Sequence, residues 1–164
     1  MNIILTGFMG AGKTTVGRKL ASRLGYYFLD TDAYIEEQQG CKIAEIFRYG
    51  GEESFRDLET KLLQHLLQLQ NTVVSTGGGM VLRTENRELL RRIGRVVYLK
   101  VDELTLLQRL QSDQQRPLLQ QENWQQKVCQ MMAQREPLYA EADLILKAHD
   151  GPPQVMVSHI IASL

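Results

Sequence analysis

Residues 7–14, Gly7-Phe8-Met9-Gly10-Ala11-Gly12-Lys13-Thr14, match the spacing G-x-x-x-x-G-K-[ST] at every fixed position. They lie between an apolar run, Asn2 to Thr6, and a segment of helical period, Lys13 to Leu24. That placement is demanding, because the pattern works only where a buried strand turns into a helix. The glycines let successive backbone N–H groups turn inward around phosphate oxygens, and the helix adds the positive end of its dipole. Gly10, Ala11, Gly12, Lys13, Thr14 and Thr15 are therefore the expected contacts to a nucleoside triphosphate. Lys13 is expected to reach the β- and γ-phosphates, and Thr14 to place its hydroxyl on Mg²⁺.

A phosphate loop of this kind requires a parallel sheet, and the rest of the chain supplies one. Short apolar runs alternate with helical segments, which predicts a three-layer α/β/α fold around a five-stranded parallel sheet. The strands are expected at Asn2–Thr6, Tyr26–Leu29, Thr72–Ser75, Arg95–Lys100 and Asp143–Leu146. Helices are expected over Lys13–Leu24, closed by Gly25 as a C-cap, and over Ala33–Gln39. The stretch from Ile43 to Gln70 also reads as helical, with breaks at Gly40 and at Gly50-Gly51. Further helices are expected at Glu85–Arg92, Glu103–Ser112, Trp124–Glu136 and Pro153–Leu164, with Leu104, Leu107 and Leu110 as a buried stripe of the second. Between Asp113 and Glu122 the pattern lapses into polar, glutamine-rich sequence around Pro117. That stretch is either an ordinary surface loop or a mobile lid, placed at about 112–123. No linker divides the 164 residues, so one domain spans 1–164.

Charge and cysteine content narrow the partners. Lys+Arg and Asp+Glu both number 19, so no basic excess points to nucleic acid or an anionic membrane. An anionic ligand must be held by a local cluster of basic groups. Cys41 and Cys129 lack a CxxC partner or a histidine pair and read as reduced thiols. No basic leader precedes Ile3-Ile4-Leu5, and no apolar run approaches the roughly 18 residues of a membrane span. The expected location is the cytoplasm.

The phosphate loop specifies a donor, and the acceptor must be sought elsewhere. Asp30 and Asp32 follow the second strand, at the carboxyl edge where an open α/β sheet binds ligands. Asp32 can orient a hydroxyl nucleophile and take its proton, while Asp30 can hold the waters of Mg²⁺. An Asx turn capping the helix from Ala33 explains the same residues equally well. Gly77-Gly78-Gly79 follows the third strand at that edge. Three glycines in a row are costly to order, which favours close backbone contact with a ligand over a plain turn. Arg56, Arg116 and Arg135 carry guanidinium forks suited to carboxylate or phosphate. Taken singly, Arg56 and Arg135 read as surface residues more readily than as site residues. Arg18, Arg23, Arg83, Arg87, Arg91 and Arg92 read as solvated helix faces.

The order GFMGAGKT, DTD, ESFRDLE, STGGG, RPLL and REPLY, running from Met1 to about Asp143, resembles the shikimate kinase family. The resemblance implies a fold like that of nucleoside monophosphate kinases, with a closing lid and an acceptor-binding helical segment at about 32–62. It implies that Asp32 holds and activates the accepting ring hydroxyl and that Arg56 and Arg135 clamp the shikimate carboxylate, with Gly77, Gly78 and Gly79 beside them. Arg116 would swing in on the lid to meet the phosphates of ATP, making Lys13, Asp32 and Arg116 the catalytic set. Arg109 and Pro152 would flank the adenine, and Thr14 and Asp30 would serve Mg²⁺. The implied partners are ATP and shikimate, and the implied state is a monomer. A gluconate kinase is a rival reading, set back by Asp-Thr-Asp with the triple glycine. An adenylate kinase lacks its second nucleotide motif here. A non-catalytic nucleotide-binding module is disfavoured because Lys13, Thr14, Asp32 and Arg116 are all present.

Overall fold

The computed structural model describes residues 1–113, 117–148 and 151–164. Five parallel strands form one sheet: β1 (Ile3–Thr6), β2 (Tyr27–Asp30), β3 (Thr72–Ser75), β4 (Arg95–Lys100) and β5 (Leu144–Lys147), in the order β2-β3-β1-β4-β5. β1 and β3 are buried at every position, as strands covered on both faces must be. In register, Ile4 faces Val74 on one side and Val96 on the other, and Asp30 faces Ser75.

Among the described residues, seven helices cover the sheet: α1 (Lys13–Leu24), α2 (Thr31–Gln39), α3 (Ile43–Leu66), α4 (Thr84–Ile93), α5 (Glu103–Gln111), α6 (Trp124–Tyr139) and α7 (Pro153–Ala162). α1 packs against α7, and α3 against α4. Right-handed crossovers put these two pairs on opposite faces, because the chain leaves β1 toward β2 and later returns past it to β4. That reversal makes a switch point between β1 and β3, and the crevice outside their carboxyl ends is where ligands bind in such sheets.

Several boundaries differ from the sequence expectation for local reasons. Gly25 caps α1 in the left-handed region at φ 69°, as expected, and Gly40 does the same for α2 at φ 67°. α2 begins at Thr31 rather than Ala33, since Asp30 accepts from the Ala33 N–H and is itself the N-cap. α3 ends at Leu66, short of Gln70, and only Gly51 (φ 75°, ψ 177°) interrupts it. α6 runs through Pro137 to Tyr139, although a proline there removes one helical hydrogen bond. On α5 the buried residues are Leu106 and Leu110; Leu104 is 73% exposed, so the expected stripe is displaced by two positions at its start. Arg83 and Arg87 are not freely solvated. Arg83 pairs with Glu53 and Asp57, and Arg87 pairs with Glu141 and donates to the Val81 carbonyl. No helix among the described residues is long and apolar enough to cross a membrane.

Candidate active site

β1 delivers the phosphate loop to the switch point. Gly7, Gly10 and Gly12 all adopt positive φ (147°, 78° and 90°), the conformations that turn a loop's N–H groups to one side. A Cβ on Gly7 would also lie 2.7 Å from the Leu99 carbonyl oxygen, so β4 closes the loop from behind. Lys13 is buried, and its ammonium donates to the carbonyls of Gly7 (2.7 Å) and Phe8 (2.8 Å), which holds the charge at the loop. Arg109, at the end of α5, donates from Nη1 to the Gly10 carbonyl at 3.2 Å. Ala11 is buried within the loop, and Thr15 is exposed on the first turn of α1.

Beside the loop is a cluster of oxygens. The Thr14 hydroxyl donates to Asp30 Oδ2 at 2.8 Å and lies 3.4 Å from Ser75 Oγ. Parallel pairing of β2 with β3 sets Asp30 opposite Ser75 and so assembles this group. Asp30 therefore serves two ends at once: one oxygen caps α2 and the other meets Thr14. The two sequence readings of Asp30 are compatible.

The triple glycine is the meeting point of the remaining candidates. Its residues do not use positive φ, so conformational freedom is not what requires glycine here. The requirement is the missing Cβ. At Gly77 a Cβ would lie 2.5 Å from Asp32 Oδ1; at Gly79 it would overlap the Arg56 guanidinium. At Gly78 it would stand 3.4 Å from Arg135 Nη1, 3.5 Å from the Met9 nitrogen of the phosphate loop and 3.7 Å from the Tyr139 hydroxyl. Three side chains from α2, α3 and α6 thus lie over three successive glycines. The Gly77 N–H is taken up by Thr31 Oγ1 at 3.0 Å, so that amide braces α2 instead of facing a ligand.

The charges are coupled. Arg56 is buried, with Nη1 2.5 Å from Glu59 Oε1 and Nη2 3.3 Å from Glu52. Glu59 is fully buried, and burial raises its pKa to about 7 against the pull of Arg56. Asp32 raises it further and Arg135 lowers it, so all four groups share one field. Arg135 is half-buried, 5.7 Å from the Phe8 ring centroid, and makes no ion pair among the described residues. A guanidinium in that position is suited to an anionic ligand.

A profile of the shikimate kinase family matches residues 9–164. The chain belongs to that family. It is 49% identical over 143 residues to a shikimate kinase of Geobacter sulfurreducens, covering 87% of this chain and 79% of the relative. It is 45% identical to a Synechococcus shikimate kinase, covering 99% and 85%. Among solved structures, the shikimate kinase of Acinetobacter baumannii in complex with shikimate superposes with a TM-score of 0.94 at 44% identity, covering 99% of this chain and 91% of that one. A gluconokinase of Sinorhizobium meliloti shares the fold alone, at 18% identity and a TM-score of 0.61.

Set against the sequence reading, the structure brings together Asp32, Arg56, Arg135 and the three glycines, and gathers Lys13, Thr14, Asp30 and Arg109 around the phosphate loop. Arg116 lies outside the described residues, as does the centre of the expected lid, whose described remainder includes a single 3₁₀ turn, Pro117–Gln120. Pro152 is exposed at the N-cap of α7. Because β5 is parallel to its neighbours, it lies at the same sheet edge as the loop, without a described contact to it. Sequence reasoning missed Ser75, Glu59, Thr31 and Tyr139. Ser75 was accessible as the last residue of β3 opposite Asp-Thr-Asp. Glu59 was accessible as the i+3 partner of Arg56 on a helix.

Proposed function

We propose that this shikimate kinase family member transfers the γ-phosphoryl group of ATP to the 3-hydroxyl of shikimate, giving ADP and shikimate 3-phosphate in chorismate and aromatic amino acid biosynthesis. The observation that carries the reading is the position of Gly78, where a Cβ would stand 3.4 Å from the Arg135 guanidinium and 3.5 Å from the Met9 nitrogen of the phosphate loop. Donor cradle and cationic acceptor clamp share one backbone position, which would hold a clamped acceptor beside the phosphates.

In this reading Arg56 and Arg135 hold the shikimate carboxylate, and Asp32 orients the accepting hydroxyl and takes its proton as the new bond to phosphorus forms. Lys13 and Arg116 stabilise charge on the transferring oxygens, and Arg109 and Pro152 border the adenine. The hydroxyl of Thr14, the carboxylate of Asp30 and Ser75 Oγ form an oxygen set that fits Mg²⁺, which takes few protein ligands and completes its shell with waters and phosphate oxygens. When bound, Mg²⁺ would supply charge neutralisation to the phosphates. A lid at about 112–123 closing over both substrates excludes water as a competing acceptor. ATP as donor goes with a cytoplasmic location.

The test is a coupled ADP-release assay with Mg·ATP on shikimate, quinate, gluconate and AMP in parallel. Turnover on shikimate alone is expected. Turnover on gluconate or AMP instead overturns the acceptor assignment and keeps the donor half.

A further inference from the structure

One side chain that touches the acceptor pocket has no part in the scheme above. Tyr139 is 2% exposed, at the last position of α6, and its hydroxyl donates to the Gly78 carbonyl at 2.6 Å. Burial pushes its pKa up to about 12, with the neighbouring Arg135 charge pulling the other way, so the phenol stays a neutral donor. Its ring stacks on Tyr98 of β4, with centroids 5.0 Å apart and planes 24° apart.

The end of α6 needs such a fixing point. Pro137 removes one of the helical hydrogen bonds that tie this turn to the one before it. Side chains take over. Glu136 accepts from Tyr98 Oη at 2.5 Å and from Lys100 Nζ at 2.6 Å, which anchors α6 to β4. Arg87 and Arg91 hold Glu141, just past the helix end, and Tyr139 makes a further tie that runs to the glycine Arg135 lies over.

We infer that Tyr139 is a positioning residue for the acceptor: its hydroxyl, bonded to the Gly78 carbonyl, fixes the Arg135 guanidinium against the triple glycine so that the clamp meets the substrate carboxylate in register. The inference rests on the reading of Arg135 as a carboxylate clamp. It assigns the Tyr139 ring to packing and the hydroxyl to geometry, so the two separate experimentally.

The experiment is steady-state kinetics on Tyr139→Phe, Tyr98→Phe and Arg135→Ala, with both substrates varied and a thermal melt for each variant. Tyr139→Phe keeps the stacked ring and loses the hydroxyl. Its KM for shikimate should rise on the order of ten-fold, about what one lost hydrogen bond yields, with kcat and the KM for ATP changed less than about two-fold. Tyr98→Phe loses a hydroxyl on the same stack, but Lys100 still holds Glu136, so its KM for shikimate should not move. A lowered melting temperature in Tyr139→Phe with an unchanged KM for shikimate, or equal rises in both KM values, overturns the inference. If Arg135→Ala itself leaves the KM for shikimate unchanged, the clamp reading fails and takes the inference with it. A rise in Arg135→Ala beside a flat Tyr139→Phe rejects Tyr139 alone.

Discussion

Arg56 Nη1 and Glu59 Oε1 stand 2.5 Å apart in the interior, while Glu59 Oε2 has no hydrogen-bond partner among the described residues. A buried carboxylate satisfied on one side only is held partly in its neutral form, and its pKa of about 7 against 4.5 expresses that. The raised value means the folded state binds the proton more tightly than the unfolded one. Stability from this group is complete below about pH 4.5 and is lost as pH rises through about 7. The melting temperature should therefore fall between pH 5 and pH 8, and Glu59→Gln should flatten that fall by a few degrees. Thermal melts of both proteins across that range check it; parallel curves would put the pH dependence on another group.

Asp32 separates chemistry from folding in the same way. It sits in the first turn of α2, while the N-cap is Asp30, so Asp32→Asn leaves the cap intact. Turnover should drop about 10²- to 10⁴-fold, the range of a lost general base. ATP affinity, measured by titration calorimetry, should stay within a factor of about two of the parent. Equal loss of both would make Asp32 a structural residue of α2.

The glycines should tolerate no methyl group where a side chain occupies its place. Gly77→Ala displaces Asp32, and Gly79→Ala displaces Arg56. Gly77→Ala should lower kcat by about 10²-fold, the usual consequence of misplacing a reacting group by an ångström. Gly79→Ala should instead raise the KM for shikimate. Gly25→Ala, in open space at the end of α1, should leave both constants alone and cost stability only through its positive φ. Kinetics on the three variants distinguish these patterns.

Asp30→Asn keeps an oxygen for the cap and removes a charge from the Thr14 cluster. The concentration of Mg²⁺ giving half-maximal rate should rise several-fold at fixed ATP, with an unchanged melting temperature, and EDTA should abolish activity in both proteins. An unaltered Mg²⁺ dependence would confine Asp30 to its capping role.

Much of this was legible in the sequence, for reasons particular residues make plain. The glycine–lysine loop fixes strand, turn and helix together, so β1 and α1 follow from it. Asp30, Asp32 and the triple glycine lie immediately after strands, and strand ends of a parallel sheet share one edge. Arg56 and Arg135 are different. They sit mid-helix, and nothing in local pattern separates them from Arg18 or Arg91; the roles proposed for them come from the family resemblance. The partnership of Glu59 with Arg56 depends on how deep α3 lies, and that of Tyr139 with Gly78 on how α6 closes over β4. Both are tertiary facts. Leu104 went wrong because a three-residue spacing fits two faces of a nine-residue helix equally well, and only packing chooses.

A run of three glycines is commonly taken as slack, the obvious place to insert residues or retune a protein. Here it is a mould. Its shape is set by what α2, α3 and α6 lay over it, so reshaping that surface means editing those three helices and leaving the loop untouched.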